Sequence, residues 1–230
     1  MTEAADIARW IQDLAGSDSR QKAESGMKLY LAGVNLCMPL LSQWVSDPEF
    51  RELTLPTSPS VVETVGAGLR RDVRVPEEVA GLAPTTSALP THFPPSTIIV
   101  GIAVQPDTFQ KIRAANNSPR LADVPPDQDA HEFELHLEDS IEFDILTTRE
   151  PGGSGAIARF LQKFGEGIQQ VEIYVRDVDR ASAILRARFS LLPIYPATRA
   201  GADGTRINFF LATTPDGKKV LIELVETAAQ

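Results

Sequence analysis

The residues of this chain best suited to chemistry are acidic side chains set at alternate positions of apolar segments. Between Ala130 and Thr147, alternation places Phe133, Leu135, Leu137, Ile141, Phe143 and Ile145 on one face of a hairpin. It sends Glu132, Glu134, His136, Glu142 and Asp144 to the other. Near the C-terminal end, Ile222-Glu223-Leu224 repeats the pattern of Phe143-Asp144-Ile145, one carboxylate on an otherwise apolar strand. Grouped carboxylates can hold a hard cation, and two that face each other without one repel, which raises the pKa of one and suits it to moving protons. With a turn at Asp139-Ser140, the residues Glu134, His136, Glu142 and Asp144 fall on adjacent strands; a cation site and a solvated acidic sheet face both account for them.

Other chemistries have little to work with. Of the three histidines, His92 lies in a proline-rich stretch, His131 is expected on the helix-covered side of its strand, and only His136 joins the acidic face. The single cysteine, Cys37, sits among apolar residues, excludes an internal disulfide and reads as a small hydrophobe. Gly152-Gly153-Ser154-Gly155 lacks the lysine and the strand-to-helix setting of a phosphate loop and reads as the lead-in to a helix from Ala156 to Lys163. No Gly-x-Ser-x-Gly elbow is present. A net charge of −9 and a pI of 4.9 exclude a surface that tracks nucleic-acid phosphates. The acidic start is unlike a targeting segment, and the longest near-apolar run, Leu29 to Leu41, is broken by Asn35 and Pro39 and falls short of the roughly 20 residues of a membrane span. A cytoplasmic protein is expected, with no membrane or nucleic-acid partner.

These side chains need elements to position them, and the 230 residues, 43% hydrophobic, suffice for a full core. Residues 1–54 read as a small helical cap. Ile7, Trp10, Ile11 and Leu14 mark a first helix, a second is expected from Ser19 to Ala32 with a break at Gly33 or Asn35, and a third carries Leu40, Leu41, Trp44 and Val45. Residues 55–97, rich in Pro, Ser, Thr and Gly, read as a connector with one short element around Val61 to Leu69. From Ile98 the order strand, helix, strand, strand, strand occurs twice. The first copy comprises Ile98–Val104, a helix Pro106–Ala115, and strands near Arg120–Val124, Ala130–Leu137 and Ser140–Thr147. The second comprises Gln169–Val175, a helix Val178–Phe189, and strands near Leu192–Pro196, Arg206–Ala212 and Val220–Val225. The fold class is α+β.

The run Gly165-Glu166-Gly167-Ile168-Gln169-Gln170, with Arg206-Ile207-Asn208-Phe209 and Leu221 to Glu226, resembles methylmalonyl-CoA epimerase and its glyoxalase relatives, the vicinal oxygen chelate superfamily. The resemblance spans Ile98 to Glu226 and implies two βαβββ modules, 98–151 and 165–230, forming one cupped sheet in residues 98–230. It further implies a divalent metal bound by the first and last strand of each module. Two of those ligands are histidines in the family; here their positions read Ile99 and Gln170, while the last strands keep Asp144 and Glu223. A site of Asp144, Gln170 and Glu223 has oxygen donors only, which suits magnesium or manganese rather than zinc.

By the same resemblance, Val124-Pro125-Pro126-Asp127-Gln128 matches a family loop that puts Glu132 where a carboxylate moves the α-proton, with Glu223 as the facing base. Thr198 to Thr205 matches the loop bordering the acyl pocket, which nominates Arg199 and the adjoining Arg206 as ligand contacts. The expectation is a glyoxalase-like protein with a degenerate metal site that binds a small acyl or oxo-acid ligand without cofactor and without epimerase activity. The alternative is an active isomerase or lyase that uses an oxygen-only metal site or the metal-free pair Glu132 and Glu223. A third reading has the N-terminal helices dock a protein partner, or a second copy of the chain, through the face of Trp10 or Trp44.

Overall fold

The structure is a computed structural model, and it describes residues 4–54, 98–137 and 141–227. The expected connector at 55–97, its short element, His92 and the hairpin turn at Asp139-Ser140 lie outside the described residues. Three N-terminal helices, α1 (Ala4–Leu14), α2 (Ser19–Trp44) and α3 (Pro48–Leu53), precede the first strand. The first module follows as β1 (Ile98–Ala103), α4 (Pro106–Ala115), β2 (Ala130–Leu137) and β3 (Ile141–Thr148). A linking helix, α5 (Ala156–Phe164), leads to the second: β4 (Gly167–Tyr174), α6 (Val178–Phe189), β5 (Arg199–Ala200), β6 (Arg206–Thr213) and β7 (Lys219–Glu226).

Seven strands form one curled sheet in the order β2-β3-β1-β4-β7-β6-β5. Each module pairs its first strand in parallel with its last, β1 with β3 and β4 with β7, and the modules join where β1 meets β4 antiparallel. This pseudo-symmetric pairing brings the two carboxylate-bearing last strands to either side of the central pair, both within one chain.

The outer face carries two apolar cores. Val100, Ile102, Phe133, Phe143 and Ile145 pack with Phe109 and Ile112 of α4, Ile11 and Leu14 of α1, and Leu29 and Tyr30 of α2. Val171, Ile173, Ile222, Leu224 and Phe210 pack with Leu185 of α6, Phe50 of α3, and Cys37, Leu41 and Trp44 of α2. One helix therefore serves both cores.

The expected break in α2 does not occur. Leu29, Tyr30, Gly33, Cys37, Leu41 and Trp44 keep one buried stripe at helical spacing through the site of the proposed stop. Gly33 is a contact residue, not a terminator: a Cβ there would lie 2.5 Å from Val100 Cγ1. Tertiary packing overrides the propensity costs of Gly33 and of Pro39, roughly 1 and 3 kcal/mol respectively. Trp44, expected on a docking face, is 1% exposed and set edge-on against Phe50, and Trp10 packs against the first core. Charged pairs also tie this region down, with Arg188 donating to Asp47 and Glu49, and Arg180 to Glu49 at 2.8 Å.

Two expected strands are absent. Segment 120–124 makes a single ladder bond, Ala122 N–H to the Glu132 carbonyl, because Pro119, Pro125 and Pro126 flank it and lack donors. Segment 192–196 makes one bridge, Pro193 with Phe210, and the short β5 takes the place beside β6 instead. His131, expected under helices, is exposed. Among the described residues no helix is long and apolar enough to cross a membrane.

Candidate functional site

The inner face of the curled sheet lines a cavity of about 480 Å³. Its acidic floor comprises Glu132 of β2, Asp144 of β3, Glu172 of β4 and Glu223 of β7; Leu146, Ile207, Phe209 and Leu221 are among the apolar residues of its walls. Register explains the convergence. Gly101 lies between Asp144 on one neighbour and Gln170 on the other, and Glu172 sits opposite Glu223. A side chain at Gly101 would collide with Gln170 Cγ, so glycine is what lets this amide lie over β1.

Between Gly101 and Ile102 the β1–β4 register slips: Gln170 pairs with Gly101, Ile168 with Ile102, and Gln169 is the extra residue. The bulge turns both Gln169 and Gln170 into the cavity while Ile168 and Val171 face the helices. The side-chain oxygen of Gln169 is buried there with no hydrogen-bond partner.

Gln170 Nε2 donates to Glu172 Oε1 at 2.9 Å and to Glu223 Oε2 at 2.5 Å. After burial, the Glu172 carboxylate beside Asp144 is the largest influence that raises the Asp144 pKa. Burial, then the neighbouring carboxylates, raise all four groups: Glu132 and Glu172 are each pushed up to about 8, and Asp144 and Glu223 are held well above the usual carboxylate range. Around neutral pH this floor is a proton-rich set of weak acids, not a fully ionised anionic patch.

Of the residues nominated from sequence, Glu132, Asp144, Gln170 and Glu223 do line one cavity. Arg199 also lines it, lying 4.4 Å over the Tyr195 ring and pairing with Asp127. Arg206 does not. Ile207 and Phe209 take the inward positions of β6, so Arg206 turns outward to Glu226 at 2.9 Å and to Asp179 at 2.5 Å. Ile99 is buried opposite Glu172. His136 meets Glu134 at 3.3 Å and Glu142 at 3.6 Å at an exposed position, while Asp144 is drawn to the floor. Among the described residues, no three His, Cys, Asp or Glu side chains are arranged to hold a metal ion. Sequence reasoning passed over Glu172, although its spacing from Gln170 puts it on the same face.

A curled sheet built from two modules of this connectivity, with a polar cup on its inner face, defines the vicinal oxygen chelate fold. Among solved structures, methylmalonyl-CoA epimerase from Mycobacterium tuberculosis is 31% identical, over 58% of this chain and 89% of that one, with a TM-score of 0.49. A methylmalonyl-CoA epimerase variant from Streptomyces coelicolor in complex with 2-nitronate-propionyl-CoA is 26% identical, over 56% and 95%, with a TM-score of 0.45. By the identity across most of the mycobacterial enzyme, the chain belongs to the vicinal oxygen chelate superfamily. No protein-family model matches the chain, and no curated protein does.

Proposed function

We propose that the cup binds a small acyl or oxo-acid compound and does so without a metal and without epimerase chemistry. The observation that carries this reading is the position of Gln170. Its amide N–H groups, not its oxygen, face Glu172 and Glu223, and they take up one oxygen of each carboxylate while offering a cation a donor where it would need an acceptor. Asp144, the remaining oxygen donor, is buried, and burial with the neighbouring Glu172 carboxylate raises its pKa well above the usual range, which disfavours the ionised form a cation needs. Ile99 offers no donor at all. The residues present do not fit the family's metal.

The same electrostatics orient the ligand. Four buried carboxyl groups disfavour an anion, so a neutral acyl end faces the floor, where the Gln169 and Gln170 amides and the protonated carboxyls supply hydrogen bonds. An anionic end belongs beside Arg199 and Arg159, which line the cavity further out. The Streptomyces relative, held in complex with 2-nitronate-propionyl-CoA, supports this choice of ligand class.

One observation favours the second reading, an isomerase or lyase. Glu132 and Glu223 both line the cavity; burial pushes Glu132 up to about 8, and burial with the neighbouring Glu132 and Asp144 carboxylates holds Glu223 well above the usual carboxylate range. Calorimetry and α-hydrogen exchange separate the two. Propionyl-CoA should bind the wild-type protein, Arg199→Ala should weaken it about tenfold, and Glu223→Gln should leave affinity within about twofold. Methylmalonyl-CoA incubated with the protein in deuterated water should gain no deuterium above the buffer rate. Exchange that Glu223→Gln abolishes would establish the enzyme instead.

A further inference from the structure

Beside the acidic floor of the cup stands a phenol that no protein group engages. Tyr174 is the last residue of β4 and lies two positions beyond Glu172, so alternation gives both the inner face, and both line the cavity. The register sets Tyr174 opposite Val225 of β7, just as it sets Glu172 opposite Glu223. A phenol taken out of water ordinarily finds a hydrogen-bond partner. Tyr30 does so, its hydroxyl donating to the Ile98 carbonyl at 3.1 Å. Tyr174 is half-buried, yet among the described residues its hydroxyl makes no hydrogen bond.

The groups around this hydroxyl decide what it can bind. Burial, then the Glu172, Asp144, Glu134 and Glu223 carboxylates, raise its pKa, so it keeps its proton through the neutral range. A floor carboxyl donates only while it is protonated, and the N–H groups of Gln170 are committed to Glu172 and Glu223. The phenol is a donor that neither condition limits. On its other flank, Val225 and then Ile207 line the cavity with side chains that have no polar atoms and cannot compete for the hydroxyl. The acidic groups nearby repel an anion, so the acceptor that suits this donor is a neutral one.

We propose that Tyr174 binds the carbonyl oxygen of the acyl ligand, the phenol donating the hydrogen bond, so that the cup selects compounds with a carbonyl over their saturated counterparts. This rests on the acyl-ligand reading and adds to it a contact residue and a chemical requirement on the ligand. Calorimetry on the full-length protein with propionyl-CoA and with S-propyl-CoA, the thioether that lacks the carbonyl, tests it. The wild type should prefer propionyl-CoA about tenfold, the size of one neutral hydrogen bond. Tyr174→Phe should weaken propionyl-CoA by about that factor and leave S-propyl-CoA within about twofold, which brings the preference close to unity.

A purely structural role for the hydroxyl would weaken both compounds alike, and that result would overturn the proposal. Equal affinities in the wild type, or a preference that survives in Tyr174→Phe, would overturn it while leaving the acyl reading in place. A wild type that binds neither compound would overturn both. If Tyr174→Phe does not fold, infrared spectroscopy of the wild type decides, with propionyl-CoA isotopically labelled at its carbonyl carbon. The bound carbonyl stretch should lie below that of equally labelled S-ethyl thiopropionate in an aprotic solvent; a stretch at the same wavenumber would mean that no donor reaches the carbonyl and would overturn the proposal.

Discussion

The floor of the cup joins groups that would each be unremarkable on a surface, and their burial changes what they do with protons. Glu132 shows the consequence most simply. Its carboxyl titrates near 8 in the folded chain against 4.5 in the unfolded one. Between those values the native state keeps a proton that the unfolded state has released, so stability is fully present below about 4.5, falls as pH rises, and levels off above about 8. The slope contributed by one such group is at most about 1.4 kcal/mol per pH unit. Urea unfolding followed from pH 5 to pH 8 should therefore show declining stability, and Glu132→Gln should flatten the decline. Alternation made Glu132, Asp144 and Glu223 legible, since period two on a strand assigns a face. The same rule reaches Glu172 from Gln170. It fails at Gln169, which faces inward only because of the bulge at Gly101, a register slip with no local signature in the side chains.

Among the elements, α1, α4, α5 and α6 were readable because each carries apolar residues at helical spacing; the expected third helix around Leu40 to Val45 is the end of α2, and α3, capped by the Asp47 side chain, was not foreseen. What misled was Gly33. In isolation a glycine in a helical run reads as a stop; here it is where the helix touches β1. Gly33→Val should force α2 off the sheet and cost about 2–3 kcal/mol, seen as a lower urea midpoint with an unchanged slope. Two expected strands at the sheet edges failed for the opposite reason. Segments 120–124 and 192–196 have strand-like apolar residues but prolines where a ladder needs donors, and their register positions went to a loop and to the two-residue β5.

At the scale of the molecule, the N-terminal helices are structural cover for the sheet. Cys37, Leu41 and Trp44 belong to the core of the second module and Leu29 and Tyr30 to that of the first, so α2 bridges the line where β1 meets β4. Removing residues 1–54 should leave the outer face of β1 and β4 bare, and the remainder should be insoluble or bind hydrophobic dyes strongly. Trp44→Ala, a milder lesion, should cost about 3–5 kcal/mol while the chain stays folded in cold buffer. A soluble, cooperatively folding truncation would restore the idea that these helices serve a partner. None of this joint dependence could be read from the helix alone, because amphipathic spacing says that a face is buried and not against what.

The bridging position of α2 also has a consequence for how the protein is made. The helix leaves the ribosome long before β4 and β7, yet half its buried stripe has no partner until those strands exist. A 26-residue helix with exposed Leu40, Leu41 and Trp44 positions is a target for chaperones during that interval. Stalled chains ending before β7 should be protease-sensitive throughout α2, whereas chains extended beyond Glu226 and clear of the ribosome tunnel should protect it in a single step.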